Sequence, residues 1–297
     1  RCSRDWSSDV CSSDLTAKAI KEADPEAKVV LGGVAGFAPA PAYIKGFDEV
    51  FRPYLRQLGG KGFDVFDLHW FGNAAGDYKD LGPVVAHVRQ ALAEAGFSPN
   101  TEIWITEMGT YSGEPKPVRE LGGAVHPAQT EAQQAADLVR RYVYALRLGV
   151  RKVFWAYGLV EGFKHDGGFF DYTGLVRPDG RPKLAYHAYG RMTRLLEGAA
   201  PVPRVVAEEA GGLHVYAFDR PGGRPVLVAW SDAPAPGTAA VPFAAAAAQV
   251  TEAIADDQGR PRVQVTPAQG GVVRVDLSRG PVFIEEPGGP AAAVGVQ

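Results

Sequence analysis

The amino-acid sequence predicts an α/β protein with a parallel sheet, followed by a smaller all-β domain. Three observations carry this expectation. As far as residue 197, short β-branched or aromatic runs alternate with long amphipathic stretches. Beyond about residue 201 only short apolar runs remain, separated by Gly/Pro turns, as in small antiparallel sandwiches or barrels. No glycine-rich phosphate loop joins a strand to a helix, because Gly32, Gly33 and Gly36 fit no GxGxxG pattern.

The elements follow in order. Residues 16–23 read as the end of a helix stopped by Asp24-Pro25, since the residue before proline avoids helical geometry. Residues 28–33 (KVVLGG) read as a buried strand closed by glycines. Residues 42–58 form a helix, with Tyr43, Phe47, Val50, Phe51, Tyr54 and Leu58 at helical spacing. Residues 63–71 (FDVFDLHWF) are the second strand. Residues 81–95 are a helix with Val84, Val85, Val88 and Leu92 on one stripe and Gly96 as its stop. Residues 102–106 (EIWIT) are the third strand. Residues 130–148 are the clearest helix, with a capping box from Thr130 and Gln133 and a stop at Gly149. Residues 150–157 (VRKVFWAY) make the fourth strand, and residues 184–196 the last helix. Five short strands are expected after that, at 213–218, 225–230, 262–266, 272–277 and 282–285. The alanine run at 244–248 reads as a short helix or a loop, and the Gly/Pro/Ala-rich tail at 288–297 as disordered. Strands alternating with helices imply right-handed βαβ units, compatible with a doubly wound sheet or with half of a (β/α)8 barrel.

Composition narrows the function. A net charge of −3 with scattered Lys and Arg argues against a nucleic-acid partner, which needs a concentrated basic surface. No apolar run reaches 18 residues, so no membrane-spanning helix is expected, and nothing points to a protein partner. Residues 5–15 (DWSSDVCSSDL) have no apolar period and read as the translation of a sequencing adapter, so residues 1–15 are set apart from the fold. Both cysteines, Cys2 and Cys11, fall in that stub, which leaves no thiolate site. His126, His165 and Asp166 match no metal template, and no cofactor is expected.

Polar and aromatic residues punctuate the strand ends. The second strand finishes with Asp67, His69 and Trp70, the third delivers Glu107, and the fourth Trp155 and Tyr157. In α/β barrels the working groups sit at the C-terminal ends of the strands. A carboxylate, an imidazole and aromatic faces on one rim suit a sugar, whose hydroxyls need directional partners and whose ring stacks on indole. Each residue also has a plainer reading. Glu107 is then a solvated charge, His69 a hydrogen-bonded core histidine, Trp155 core packing, and Asp67 an orienting group for its neighbours.

The segments WITEMG (104–109), FDLHWFG (66–72), KVFWAYGL (152–159) and GLVRPDGRPKLAYHAYGRM (174–192) resemble the last strands and final helix of clan A glycoside hydrolases. The likeness is to the β-xylosidase and cellulase-like branches that carry an appended β-sandwich, and it covers roughly residues 25–197. It implies the C-terminal half of a (β/α)8 barrel (strands five to eight, residues 16–198) followed by a small β-sandwich domain at 202–287. It implies a retaining O-glycoside hydrolase acting on oligo- or polysaccharide, with Glu107 as nucleophile, and a secreted or periplasmic setting. His69 matches an orienting position and Trp155 the floor of a sugar subsite; Asp67, Trp70 and Tyr157 are further candidate substrate contacts. One departure matters. The clan's acid/base glutamate follows an asparagine at the end of strand four, and this sequence contains no Asn-Glu pair. The fragment is therefore expected to be inactive alone, and the competing reading is a non-catalytic carbohydrate-binding protein with a barrel-derived fold.

Overall fold

The computed structural model describes residues 6–117, 123–208, 212–223 and 225–288, with side chains from residue 15 onward. Of the expected tail, residues 289–297 lie outside this set, as does Cys2. Contacts divide the chain into two units: residues 1–72, 79–108 and 150–155, and residues 73–78, 109–149 and 156–297. The domain boundary expected near residues 198–202 thus falls inside the second unit.

In the first unit, helix α1 (Trp6–Ala23) starts ten residues before the expected residue 16, so the backbone of the leader continues into it. Strands β1 (Val30–Val34), β2 (Val65–Phe71), β3 (Glu102–Gly109) and β4 (Lys152–Trp155) form a four-stranded sheet in that order, with β1–β2 and β3–β4 parallel. Helix α2 (Ala40–Leu58) begins two residues earlier than expected, because Pro41 fits a first turn that needs no N–H donor. It lays Tyr43 and Phe47 onto the sheet, where Phe47 meets Phe66 edge-on at 6.0 Å. Helix α3 (Leu81–Glu94) packs beside α2, with the His87 ring edge-on to Phe47 and His87 Nε2 2.7 Å from Asp48 Oδ1.

β2 is buried along its whole length except at His69, as a central parallel strand should be. β1 departs from the expected buried strand: Val30 is exposed and only Val34 is buried. The reason is position, since among the described residues β1 is an edge of this sheet, paired with β2 on one side only.

In the second unit, helix α4 (Glu131–Arg147) carries the expected capping box: the Gln133 N–H donates to Thr130 Oγ1 (3.1 Å) and the Thr130 N–H to Gln133 Oε1 (2.7 Å). It is buried nearly all round, its polar face included. Residues 134–145 are all buried, including Gln134, Asp137, Arg140 and Arg141. The charges are reconciled internally. Asp137 pairs with both arginines, which donate in turn to the carbonyls of Ala74 (2.9 Å) and Asn73 (3.1 Å). Helix α5 (Leu184–Leu196) packs against α4.

The antiparallel part has eight strands where five were expected. They are β5 (Arg204–Glu208), β6 (Leu213–Phe218), β7 (Val226–Ser231), β8 (Gly237–Pro242), β9 (Ala247–Ala255), β10 (Pro261–Gln269), β11 (Val272–Leu277) and β12 (Val282–Glu285). Hydrogen bonds join them into one sheet of order β5-β6-β7-β12-β9-β10-β11-β8. Residues of β6, β7, β9 and β12 share one core with Val241 of β8 and Val273, Val275 and Leu277 of β11, so the sheet curls over itself as a near-barrel. The alanine run at 244–248 is neither helix nor wholly loop, because its last two residues open β9, where the small side chains fit that core. A polar cluster anchors segment 73–78 to this sheet: Trp230 Nε1 donates to the Tyr78 hydroxyl (2.8 Å), which donates to Asp232 (2.8 Å). Burial and the neighbouring Asp232 carboxylate push the Tyr78 hydroxyl far above its ordinary pKa.

Candidate active site

The carboxyl ends of β2 and β3 bring three of the predicted residues together. Glu107 Oε2 lies 3.2 Å from His69 Nδ1, and its side chain is 35% exposed, open to a ligand. A carboxylate can only accept, so the hydrogen of this contact belongs to the imidazole. On the far side of the ring, His69 Nε2 is 3.3 Å from the Thr106 hydroxyl and 3.6 Å from Asp67 Oδ2. Thr106 secures Asp67 through both of its donors, the backbone N–H to Oδ1 (3.0 Å) and the hydroxyl to Oδ2 (2.6 Å).

Local backbone irregularities set this geometry. Ile105 pairs with Val153 and Met108 with Trp155, so Thr106 and Glu107 together stand opposite the single Phe154. Such a bulge re-aims side chains, and here both Thr106 and Glu107 reach one imidazole. β1 does the same: Gly32 and Gly33 stand opposite the single Asp67. Gly33 leaves room for the ring, because a Cβ there would sit 1.9 Å from His69 Nε2. A Cβ on Gly36 would be 2.6 Å from the His69 carbonyl oxygen and from the Tyr43 ring.

The remaining candidates separate. Asp67 is buried and accepts both Thr106 donors, an arrangement that fits the plainer reading of an orienting group. Trp70 is fully buried on the opposite side of β2 from His69, with its ring edge-on to Tyr43 at 6.0 Å; it packs α2 onto the sheet. Trp155 ends β4 beside Met108, half-buried at the same end of the sheet as Glu107. Tyr157 belongs to the second unit. It holds a left-handed backbone (φ 60°) and packs its ring 4.1 Å from Phe170 and 5.7 Å from Phe163.

Several organising residues had no distinctive sequence signal. Thr106 is an ordinary strand threonine by type, and the space needed at Gly33 is visible only in three dimensions. In the second unit Asp171 gathers the 164–167 loop, accepting four backbone N–H groups at 2.6–2.9 Å. Burial works against its charge, but the N–H donors, Gly167 foremost, outweigh it and hold the carboxyl below the ordinary range. Lys183, fully buried, donates to Glu161 (2.6 Å), while burial lowers its ammonium pKa against that partner. Among the described residues no group of three or more His, Cys, Asp or Glu is placed to hold a metal.

Known structures share this architecture. The chain superposes on a family 39 glycoside hydrolase from Bacteroides cellulosilyticus WH2 with a TM-score of 0.67 at 18% identity, covering 93% of this chain and 54% of that one. A glucosidase from Croceicoccus marinus gives 0.61 at 18% identity (93% and 63%). AbfB, a family 51 α-L-arabinofuranosidase from Bifidobacterium longum, gives 0.58 at 14% identity (93% and 63%). No protein-family model and no curated protein matches the sequence. The chain shares the fold of these glycoside hydrolases and spans between about half and just under two-thirds of their length.

Proposed function

We propose that the chain is the C-terminal part of a retaining O-glycoside hydrolase: a half barrel, a β-sandwich-like domain, and Glu107 as nucleophile. The observation that carries this reading is the open Glu107 carboxylate at a strand end, 3.2 Å from an imidazole fixed on its other side by Thr106. In such a reaction Glu107 attacks the anomeric carbon as the leaving oxygen is protonated, and water later releases the sugar from the glycosyl ester. His69 orients the nucleophile, and Trp155 offers an aromatic face at the same rim.

The second carboxyl of a retaining pair stands about 5–5.5 Å from the first. Asp67 does not fill that role, because Thr106 occupies both of its oxygens. In this reading the proton donor is a carboxyl other than Asp67.

The test is Glu107→Gln in the protein that includes its proton donor. Turnover should fall by several orders of magnitude with the fold intact, as when a nucleophile is removed from a unit that acts together. Undiminished turnover would refute the nucleophile assignment. A longer protein that binds sugars but carries no acid/base carboxylate would establish the non-catalytic binder instead.

A further inference from the structure

The second unit holds a groove of about 720 Å³ between α5 and the turn that joins β9 to β10. We propose that this groove is a second carbohydrate site, one that binds an acidic, uronate-bearing oligosaccharide. The choice of a saccharide rests on the glycosidase reading; the preference for an anion rests on the groove alone.

Charge is the first argument. Arg191, Arg194 and Arg260 line the groove, and among the described residues lining it there is no carboxylate. Arg260 is neutralised by Asp256, which takes its Nε at 3.0 Å and its backbone N–H at 2.8 Å. Arg191 is not: it donates to the carbonyls of Ala253 (2.7 Å) and Gly259 (3.3 Å), which leave its full charge in place. Arg194 is exposed, makes no ion pair among the described residues, and stands one helical turn from Arg191. Like charges at that spacing repel. Burial and the Arg194 charge both lower the Arg191 guanidinium pKa. An anion entering the groove relieves this strain, and a carboxylate matches the guanidinium fork.

Shape is the second argument. Tyr186, 43% exposed, stands edge-on to His187 at 5.6 Å and 89°. Tyr189 is half-buried, with its ring 5.3 Å from Tyr142. Exposed aromatic faces beside polar donors suit a pyranose, which has an apolar face and a hydroxyl rim. The opposite wall is fixed before any ligand arrives. Gly259 (φ 78°) approaches so closely that a Cβ would meet the His187 ring at 2.6 Å, and Arg191 ties α5 to that turn. A preformed groove spares the ligand an ordering cost.

The experiment is calorimetric titration of the 297-residue chain with oligogalacturonate, a neutral xylo-oligosaccharide and inorganic sulfate. Oligogalacturonate should bind and weaken with salt, the neutral oligosaccharide should bind at least about tenfold more weakly (a difference of about 1.4 kcal/mol), and sulfate should not compete at matched concentration. Arg194→Ala and Tyr186→Ala should each weaken the acidic ligand by about tenfold. Both side chains are exposed; should either variant lose its thermal transition, Arg194→Gln and Tyr186→Ser replace them. No binding, equal binding of the neutral sugar, insensitivity to both variants, or sulfate binding as tightly as the uronate overturns the proposal. Glu107→Gln should leave this binding unchanged, so failure of the nucleophile assignment is read separately.

Discussion

A hydroxyl has one hydrogen to give, and Thr106 gives it to Asp67, while its oxygen lies 3.3 Å from His69 Nε2. Thr106→Val keeps the backbone N–H but strips one donor from a buried carboxylate. A stability loss of about 1–3 kcal/mol is expected, measured by urea unfolding, together with a fall in kcat as His69 loses its backing. Gly33→Ala should also impair turnover, because its Cβ would occupy the place of His69 Nε2. Gly32→Ala is the control, with no atom within 4 Å of the added carbon; similar kinetics for the two variants would contradict the steric account. That Glu107 and His69 lie side by side was legible in the sequence, because both sit at the ends of apolar runs that form neighbouring strands. Side chains alternate along a strand, so adjacent His69 and Trp70 face opposite ways, and Trp70 lies buried under α2. Asp67 shares the His69 face, and its partner Thr106 lies 39 residues away, beyond the reach of any local pattern.

Helices were readable where caps and stops agreed with periodicity. Thr130 shows it best: Thr130→Ala removes the hydroxyl that accepts the Gln133 N–H and should cost about 0.5–2 kcal/mol, seen as a lower denaturation midpoint. What periodicity missed was how far α4 is enclosed, because its charged residues look solvent-facing until their partners at Asn73 and Ala74 are brought in. Strands β8 and β9 escaped because alanine dilutes their β-branched pattern, and β5 because only two of its five residues are β-branched. The loop around Asp171 yields a pH prediction. Its folded pKa lies below the ordinary 3.8, so its stabilisation is complete above that value and disappears as pH falls through the depressed one. Asp171→Asn should flatten this acid-side loss in a pH series of thermal melts; an unchanged profile would count against the anchoring role.

At the scale of the molecule, the sequence conveyed the alternation that makes a parallel sheet, but not how contacts would group the elements. Strands β1 to β4 belong to one unit, while α4 and α5 join the antiparallel sheet in the other. Local patterns carry no information on that allegiance, which arises from long-range packing. The outer strand β1, with Val30 exposed, presents a ready template for pairing. We therefore expect the 297-residue chain to self-associate through this edge as concentration rises, seen in light scattering. A chain that stays monomeric at high concentration would argue that the four-stranded sheet needs no further cover.

The paired irregularities on either side of β2 make the length of these strands matter as much as their composition. Removing Thr106 would leave one residue opposite Phe154 and slide Glu107 down a rung, into the seat beside Asp67. Two carboxylates would then share the place that a threonine now neutralises. Deletion of a single codon at this point should be more damaging than any substitution there, and the same holds at Gly32.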